Sequence, residues 1–391
     1  MAGGDGVEAE EAPKNAIAAF ISNFSLKPFT LEEKKFVITT RFIQLFSSLN
    51  FNVSSAAAMD MYMRHSGGSA TAMALHYGTV QSSINLCNMF LAPVVGCLSD
   101  TFGRKPFMAL GRLGWTLWWL ILANSDRLSA AFSITPLRLR LLGEILCWGV
   151  IQAGTWSVYT AASADYFGTR PSLMGRVGTT GGQLWDCGQF AGSLIGAFLA
   201  RRAPLAALYA SAFCALTTVG LVASLTEPLP KAKRKPFKVA EANPIGSLLL
   251  LFKYGAGLRR LTVMTSFLYA TYSTWSVRSA YRLGPVGMSS STIAYINTGD
   301  AVGMIASQGA IVLPLQAKRG YKYAFQVGCV GGFLCYIIEG LAWAGSTARL
   351  RLMIYIAAVS FDSLLFEITG HCVRPMITKV RTPCHATSAT T

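Results

Sequence analysis

Charged residues are scarce in this 391-residue sequence. Asp, Glu, Lys and Arg make up 13% of it against 52% hydrophobic residues, and the mean hydropathy is +0.42. A soluble domain usually carries about a quarter charged residues. The charges are also bunched, which leaves long apolar stretches, and stretches of about 20 apolar residues cross a membrane as helices. The composition therefore argues against a water-soluble enzyme and predicts several membrane-spanning helices.

The sequence also lacks the patterns that hold metals, cofactors or catalytic nucleophiles. Its nine cysteines include no C-x-x-C pair and no Cys/His set at metal-ligand spacing. It shows no phosphate-binding loop and no soluble nucleotide domain of the kind that an ATP-driven pump needs. We therefore predict no metal, no cofactor and no enzymatic activity.

Positive charge is in excess, with 34 Lys and Arg against 18 Asp and Glu. These basic residues sit in short loops between apolar runs, so we expect no nucleic-acid partner. Residues 1–35 carry several acids, among them Asp5, Glu8 and Glu32, which suits neither a transit peptide nor a signal peptide. This segment is predicted to be a cytosolic tail.

Apolar runs bounded by charge, Gly or Pro predict ten membrane-spanning helices. Six fall within residues 36–225, near 36–62, 71–95, 106–124, 139–165, 177–200 and 204–225. Four more fall within residues 259–377, near 259–283, 290–314, 322–344 and 350–377. A basic cytosolic linker over 226–258 separates the two groups, and residues 378–391 form a polar tail. The predicted fold is an all-α, polytopic transmembrane helical bundle.

The distribution of Lys and Arg predicts which side of the membrane each loop faces. With the N-terminus in the cytosol, about 24 of the 34 Lys and Arg fall on the cytosolic side. The linker contributes the run KAKRKPFK at 231–238. By the positive-inside rule we predict that both termini are cytosolic.

The loop after the second predicted helix carries the most specific motif of the chain. It reads GCLSDTFGRK over 96–105 and resembles the signature G-x-L-[SA]-D-x-x-G-R-[RK] of the major facilitator superfamily. The resemblance implies the major facilitator fold and a secondary transporter that works by alternating access, as a monomer in the lipid bilayer. It also implies a gating role for the signature-loop residues, which are Gly96, Asp100, Gly103, Arg104 and Lys105.

An internal repeat supports this resemblance. A shift of 217 residues (320 minus 103) places Gly103 on Gly320 and Lys105 on Lys322, with Ala317 where Asp100 would stand. Two parallel halves are the basis of the major facilitator fold. On this register the second half is incomplete, and the sequence ends after the tenth of twelve helices.

Within the superfamily the sequence is most similar to tetracycline-type drug/proton antiporters. The similarity includes His76-Tyr77-Gly78 and Arg374-Pro375, and it implies a proton-coupled antiporter of the multidrug type. Those antiporters carry acids where Asn50 and Trp118 stand here, and a basic residue where Glu144 stands. The alternative is a truncated, non-transporting scaffold or receptor derived from a transporter.

Polar side chains at membrane depth are costly and therefore mark candidate functional positions. They are expected to bind a small-molecule substrate or a proton, or else to join helices through hydrogen bonds. The substrate or proton pathway candidates are Asn50, Gln183, Asp186, Gln189, Tyr272, Asp300 and Glu339.

Overall fold

A computed structural model describes most of the chain, and the described part is helical. The described residues are 24–239, 242–253, 256–257, 259–260, 262–264, 266, 275–284, 286–307, 311, 313–347, 349–362 and 365. In the first half the helices are α1 Leu31–His65, α2 Ala70–Phe102, α3 Arg104–Ala123, α4 Ser125–Phe132, α5 Pro136–Glu144, α6 Thr155–Phe167, α7 Pro171–Arg202 and α8 Pro204–Ser224. In the linker and second half they are α9 Pro244–Lys253, α10 Trp275–Leu283, α11 Ser290–Ser307, α12 Leu313–Leu341 and α13 over 349–362.

Local sequence signals explain where these helices begin. Thr30 and Glu33 form a capping box at the start of α1, in which the Glu33 carboxylate accepts from the Thr30 N–H at 2.9 Å. Proline occupies the first turn of α5, α7 and α8, where its missing N–H costs no helical hydrogen bond. The start points are therefore encoded locally.

The observed helices follow the predicted membrane-spanning segments in the described ranges. The fourth segment combines α5, a π-helical turn over Ile145–Ile151, and α6. Of the seventh segment the structure describes helical residues 259–260, 262–264 and 266 at its start and α10 at its end. The short helix α4, between the third and fourth segments, was not predicted. By length and composition alone, four described helices can cross a membrane: Ala70–Phe102, Pro136–Phe167, Pro204–Ser224 and Lys322–Leu341.

The internal repeat is visible in the backbone. Gly103 separates α2 from α3 with φ of 106°, and Gly320 interrupts α12 with φ of 79°. Residues that carry a side chain rarely adopt such positive φ values, so glycine is favoured at both breaks. The two positions are those that the 217-residue shift superimposes.

A stripe of glycines lets α7 pack directly against α1. A Cβ atom at Gly188 would lie 2.5 Å from the Leu45 carbonyl oxygen, and one at Gly196 would lie 2.6 Å from that of Val53. Real Cβ atoms do not approach backbone so closely, so only glycine allows this separation of the two helices. Small residues play this role in membrane helix packing generally.

We expect Gly196→Ala to lower the free energy of unfolding by about 1–3 kcal/mol, because the added methyl group overlaps the backbone of α1. The measurement is SDS-titrated unfolding of the purified chain in mixed micelles. Gly220→Ala in α8 is the matched control, since a Cβ there meets no atom within 4 Å. Equal stability of the two variants would contradict this packing argument.

The two halves pack against each other near the end of the bundle opposite the signature loop. We call this the far end, and the end that carries Gly103 the signature end. A buried apolar cluster at the far end combines Tyr62 and Met73 of the first half with Met288 and Ile293 of the second. There Arg201, at the end of α7, donates to the Ser291 hydroxyl at 3.1 Å. These contacts hold the halves together at the far end.

Candidate functional site

The signature loop is organised around the Arg104 guanidinium, which is 8% exposed. It pairs with Asp100 and donates to the Asp165 carboxylate at 3.1 Å and to the Ser99 hydroxyl at 2.8 Å. Asp165 lies near the end of α6, so the guanidinium ties α2, α3 and α6 together. A guanidinium suits this role because its donors are arranged in a fixed planar fork.

Glu227 from the linker completes this loop. Its carboxylate accepts from the backbone N–H of Arg104 at 2.7 Å and of Lys105 at 3.1 Å. A negative charge at the first turn of α3 is favourable because the N–H groups there lack helical partners and the helix dipole is positive. The Lys235 N–H also donates to the Asp100 carbonyl oxygen at 3.2 Å. The linker is thereby fixed to the signature loop.

Asp186 and Asp300 occupy facing helices of opposite halves. Helices α7 and α11 pack along each other, and the Gln189 amide donates to the Asn297 carbonyl oxygen at 3.5 Å. Because the two helices run antiparallel, Asp186 and Asp300 each lie one turn from this contact, toward the signature end. The two carboxyl groups are therefore at about the same depth on either side of the half interface, and both are buried.

Gln183 and Gln189 lie on the same face of α7 as Asp186. Gln183 is fully buried, and neither atom of its amide has a hydrogen-bond partner. Gln189 forms the contact to Asn297 described above. The three side chains are spaced by three residues, which keeps them within a broad face of the helix.

Glu339 belongs to a buried ion cluster of the second half. Arg278 donates to both its carboxylate oxygens, at 2.6 and 2.5 Å, and to Asp362 at 3.2 Å. Next to this cluster Arg282 pairs with the Tyr355 hydroxyl and donates to the Asn297 side chain at 2.9 Å. The geometry of Glu339 fits the helix-joining alternative, because it links α10 to α12.

Asn50 lies inside an aromatic cluster of the first half. Its side-chain oxygen accepts a hydrogen bond from the Trp119 indole, and its Nδ2 has no acceptor. Tyr272 lies outside the described residues. No group of three or more His, Cys, Asp or Glu that could hold a metal is found among the residues searched in the described part of the chain.

The structure adds candidate residues that the sequence did not single out. Arg112 and Arg140 are buried in the first half and carry guanidinium nitrogens without acceptors. Arg140 lies over the Tyr62 ring at 4.6 Å, and the Tyr62 hydroxyl donates to Glu144 at 2.6 Å. Both arginines lie inside apolar runs of the sequence, and this is the signal by which they could have been found. In the sequence, Glu227 stands out only as an acidic residue in a basic linker.

Comparisons with known proteins identify the family of the chain. A model of the Major Facilitator Superfamily matches residues 41–377. The class C tetracycline resistance protein of Escherichia coli is 24% identical over 306 residues, which cover 73% of this chain and 69% of that protein. The class H protein of Pasteurella multocida is 33% identical over 97 residues, which cover 25% of this chain and 22% of that protein.

Solved structures share the fold over nearly the whole chain. The human organic anion transporter MFSD10 (TETRAN) has a TM-score of 0.57 and 20% identity, covering 92% of this chain and 94% of that one. A D-xylose–proton symporter has a TM-score of 0.60 and 11% identity, covering 90% of each. The all-α transporter fold predicted from the sequence is confirmed. The chain belongs to the Major Facilitator Superfamily, and it is an integral, multi-pass membrane protein of the secondary transporter class, not an enzyme.

Proposed function

We propose that this transporter exchanges protons for an amphipathic small molecule. The observation that carries the proposal is the placement of Asp186 and Asp300, buried at matching depth on helices of opposite halves. The relatives named as tetracycline resistance proteins support drug export as the process. The proton supplies the driving force.

The placement of the two acids links protonation to the movement of the halves. Protonation changes the charge of a carboxyl group at the half interface, and in a medium of low dielectric constant this changes the free energy of packing α7 against α11. Alternating access in this fold is largely a rocking of one half against the other. A proton at this interface would thus bias the rocking.

Each acid is expected to be needed for coupling. In proteoliposomes that contain the full chain, an imposed pH gradient should drive accumulation of the probe tetracycline, with lumenal pyranine reporting proton movement. We expect Asp186→Asn and Asp300→Asn to reduce gradient-driven accumulation at least tenfold while the variants insert and melt like the unaltered protein. The reason is that an asparagine amide neither gains nor loses a proton near neutral pH, so it cannot carry a proton at that position.

Glu32→Gln is the matched control, because this exposed acid lies at the start of α1, away from the half interface. It should leave accumulation unchanged. Normal coupled transport in both aspartate variants would rule out the interface acids as the proton site. Absence of gradient-driven flux in the unaltered protein, with tetracycline and with a panel of amphipathic compounds, would favour the non-transporting scaffold.

A further inference from the structure

One group of four side chains in the first half carries buried hydrogen-bond donors that have no acceptor in the described part of the chain. They are Nδ2 of Asn50, Nη1 of Arg112 and Nε1 of Trp115 and of Trp148. Asn50, Arg112 and Trp115 are each at most 2% exposed. Buried polar groups are usually satisfied, so each orphaned donor calls for an explanation. The partner that each of these four atoms lacks is a hydrogen-bond acceptor.

These donors are gathered around one aromatic side chain. The Phe51 ring meets the Trp115 ring edge-on at 4.8 Å and the Trp148 ring at 5.0 Å. The Arg112 guanidinium lies 4.5 Å from the centre of the Trp115 ring and 5.3 Å from that of Trp156. Donors from α1, α3 and the fourth membrane-spanning segment therefore belong to one cluster, which we call the Arg112 cluster.

The Arg112 cluster holds a positive charge without a negative one. None of the ion pairs found among the described residues includes Arg112. Tryptophan faces stabilise a guanidinium through the ring quadrupole, but they accept no hydrogen bond in its plane. A buried cation is costly unless a counter-charge and acceptors reach it. A carboxylate or sulfonate would supply both.

We propose that the Arg112 cluster binds the acidic group of an aromatic organic anion, which is the substrate class of the transport function proposed above. Trp156 is 43% exposed and packs against the half-buried Trp185 with ring centres 6.0 Å apart. This pair is the accessible side of the cluster, and flat aromatic faces there suit a substrate ring. The acidic group points toward Arg112, and the ring stacks on Trp156.

Binding of two probes that differ only in charge tests this assignment. The full chain in lipid nanodiscs is titrated by calorimetry with 2-naphthoate and with the neutral 2-naphthamide, and empty nanodiscs serve as the blank. We expect 2-naphthoate to bind at least tenfold more tightly than the amide. Arg112→Gln should weaken 2-naphthoate binding at least tenfold and leave the amide unchanged, and Arg112→Lys should retain part of the affinity.

Two further arginines serve as controls. Arg138→Gln alters an exposed arginine of the same half and should have no effect. Arg140→Gln removes another buried guanidinium of the first half that has nitrogens without acceptors, so loss of binding in this variant but not in Arg112→Gln would overturn the assignment. Equal binding of both probes by the unaltered protein, or no binding of 2-naphthoate at all, would overturn it as well.

One more variant and a comparison of two measurements separate this inference from folding defects and from proton coupling. If Arg112→Gln does not fold, Trp156→Leu decides the question, because loss of the stacking face should weaken 2-naphthoate binding at least fivefold. Unchanged binding there would contradict the proposal. Calorimetric binding is measured without any pH gradient. Normal binding of 2-naphthoate by an unaltered protein that shows no gradient-driven flux would therefore refute proton exchange alone, whereas flux without 2-naphthoate binding would refute the anion site alone.

Discussion

Replacing Arg278 with glutamine should lower the free energy of unfolding by about 3–5 kcal/mol, the range for removing one partner of a buried ion pair. The substitution leaves Glu339 and Asp362 buried next to each other without their cation. Without the guanidinium that they share, the two buried carboxylates repel each other, and neither is exposed to water. SDS-titrated unfolding of the purified chain in mixed micelles measures the loss.

The double variant Arg278→Gln with Glu339→Gln should recover much of this stability, since it removes a charge together with its partner. Arg278→Lys should fall between the two, because an ammonium group keeps the charge but loses the two-pronged contact to Glu339. Arg349→Gln, at an exposed position of the second half, is the control and should be neutral. If Arg278→Gln costs no more than Arg349→Gln, the cluster does not hold α10, α12 and α13 together.

The fold could be predicted from the sequence because its determinants are local. The apolar runs and the motif GCLSDTFGRK each lie within a short stretch of chain, and the family and fold that they imply are confirmed. The repeat in the sequence also pairs Gly103 with Gly320, and in the structure both residues have a positive φ. The short helix α4 was missed because it lies in a loop without a long apolar run.

The arrangement of the site depends on tertiary packing and could be predicted only in part. The cost of burying an acid marked Asp186, Asp300 and Glu339 as candidates without revealing their different surroundings. Glu339 is neutralised by an arginine 61 residues earlier in the chain, whereas the register of α7 on α11 brings the two aspartates to one depth. Partners so distant in sequence leave no local pattern.

The Arg112 cluster also depends on tertiary packing, and the sequence did not predict it. The Trp residues of α3 are visible as apolar content, but nothing in their spacing tells that their indole N–H groups stay without acceptors. That property arises where α1, α3 and the fourth membrane-spanning segment meet around Phe51. Only the assembled bundle shows that a guanidinium lies among them.

Removing the Arg104 side chain should open the signature loop, because this guanidinium is the link between α2, α3 and α6. Arg104→Gln leaves Asp165 and Asp100 without their shared cation while Glu227 still holds the backbone N–H groups of α3. We expect amide hydrogen exchange in the peptide over 96–107 to speed up at least tenfold. We also expect gradient-driven transport to fall by about 5–150-fold, the range for couplings of 1–3 kcal/mol.

Lys105 provides the matched control for this loop. It is the next basic residue, and its side chain forms none of the ion pairs found in the described part of the chain. Lys105→Gln removes the same formal charge but keeps the backbone contact to Glu227, so exchange in the 96–107 peptide should stay within about twofold of the unaltered protein. Equal acceleration in both variants would mean that net charge, and not the Arg104 ion pairs, stabilises the loop. Since rocking of the halves must move α2, α3 and α6 as one body, faster exchange without loss of transport would show that this rigidity is not required.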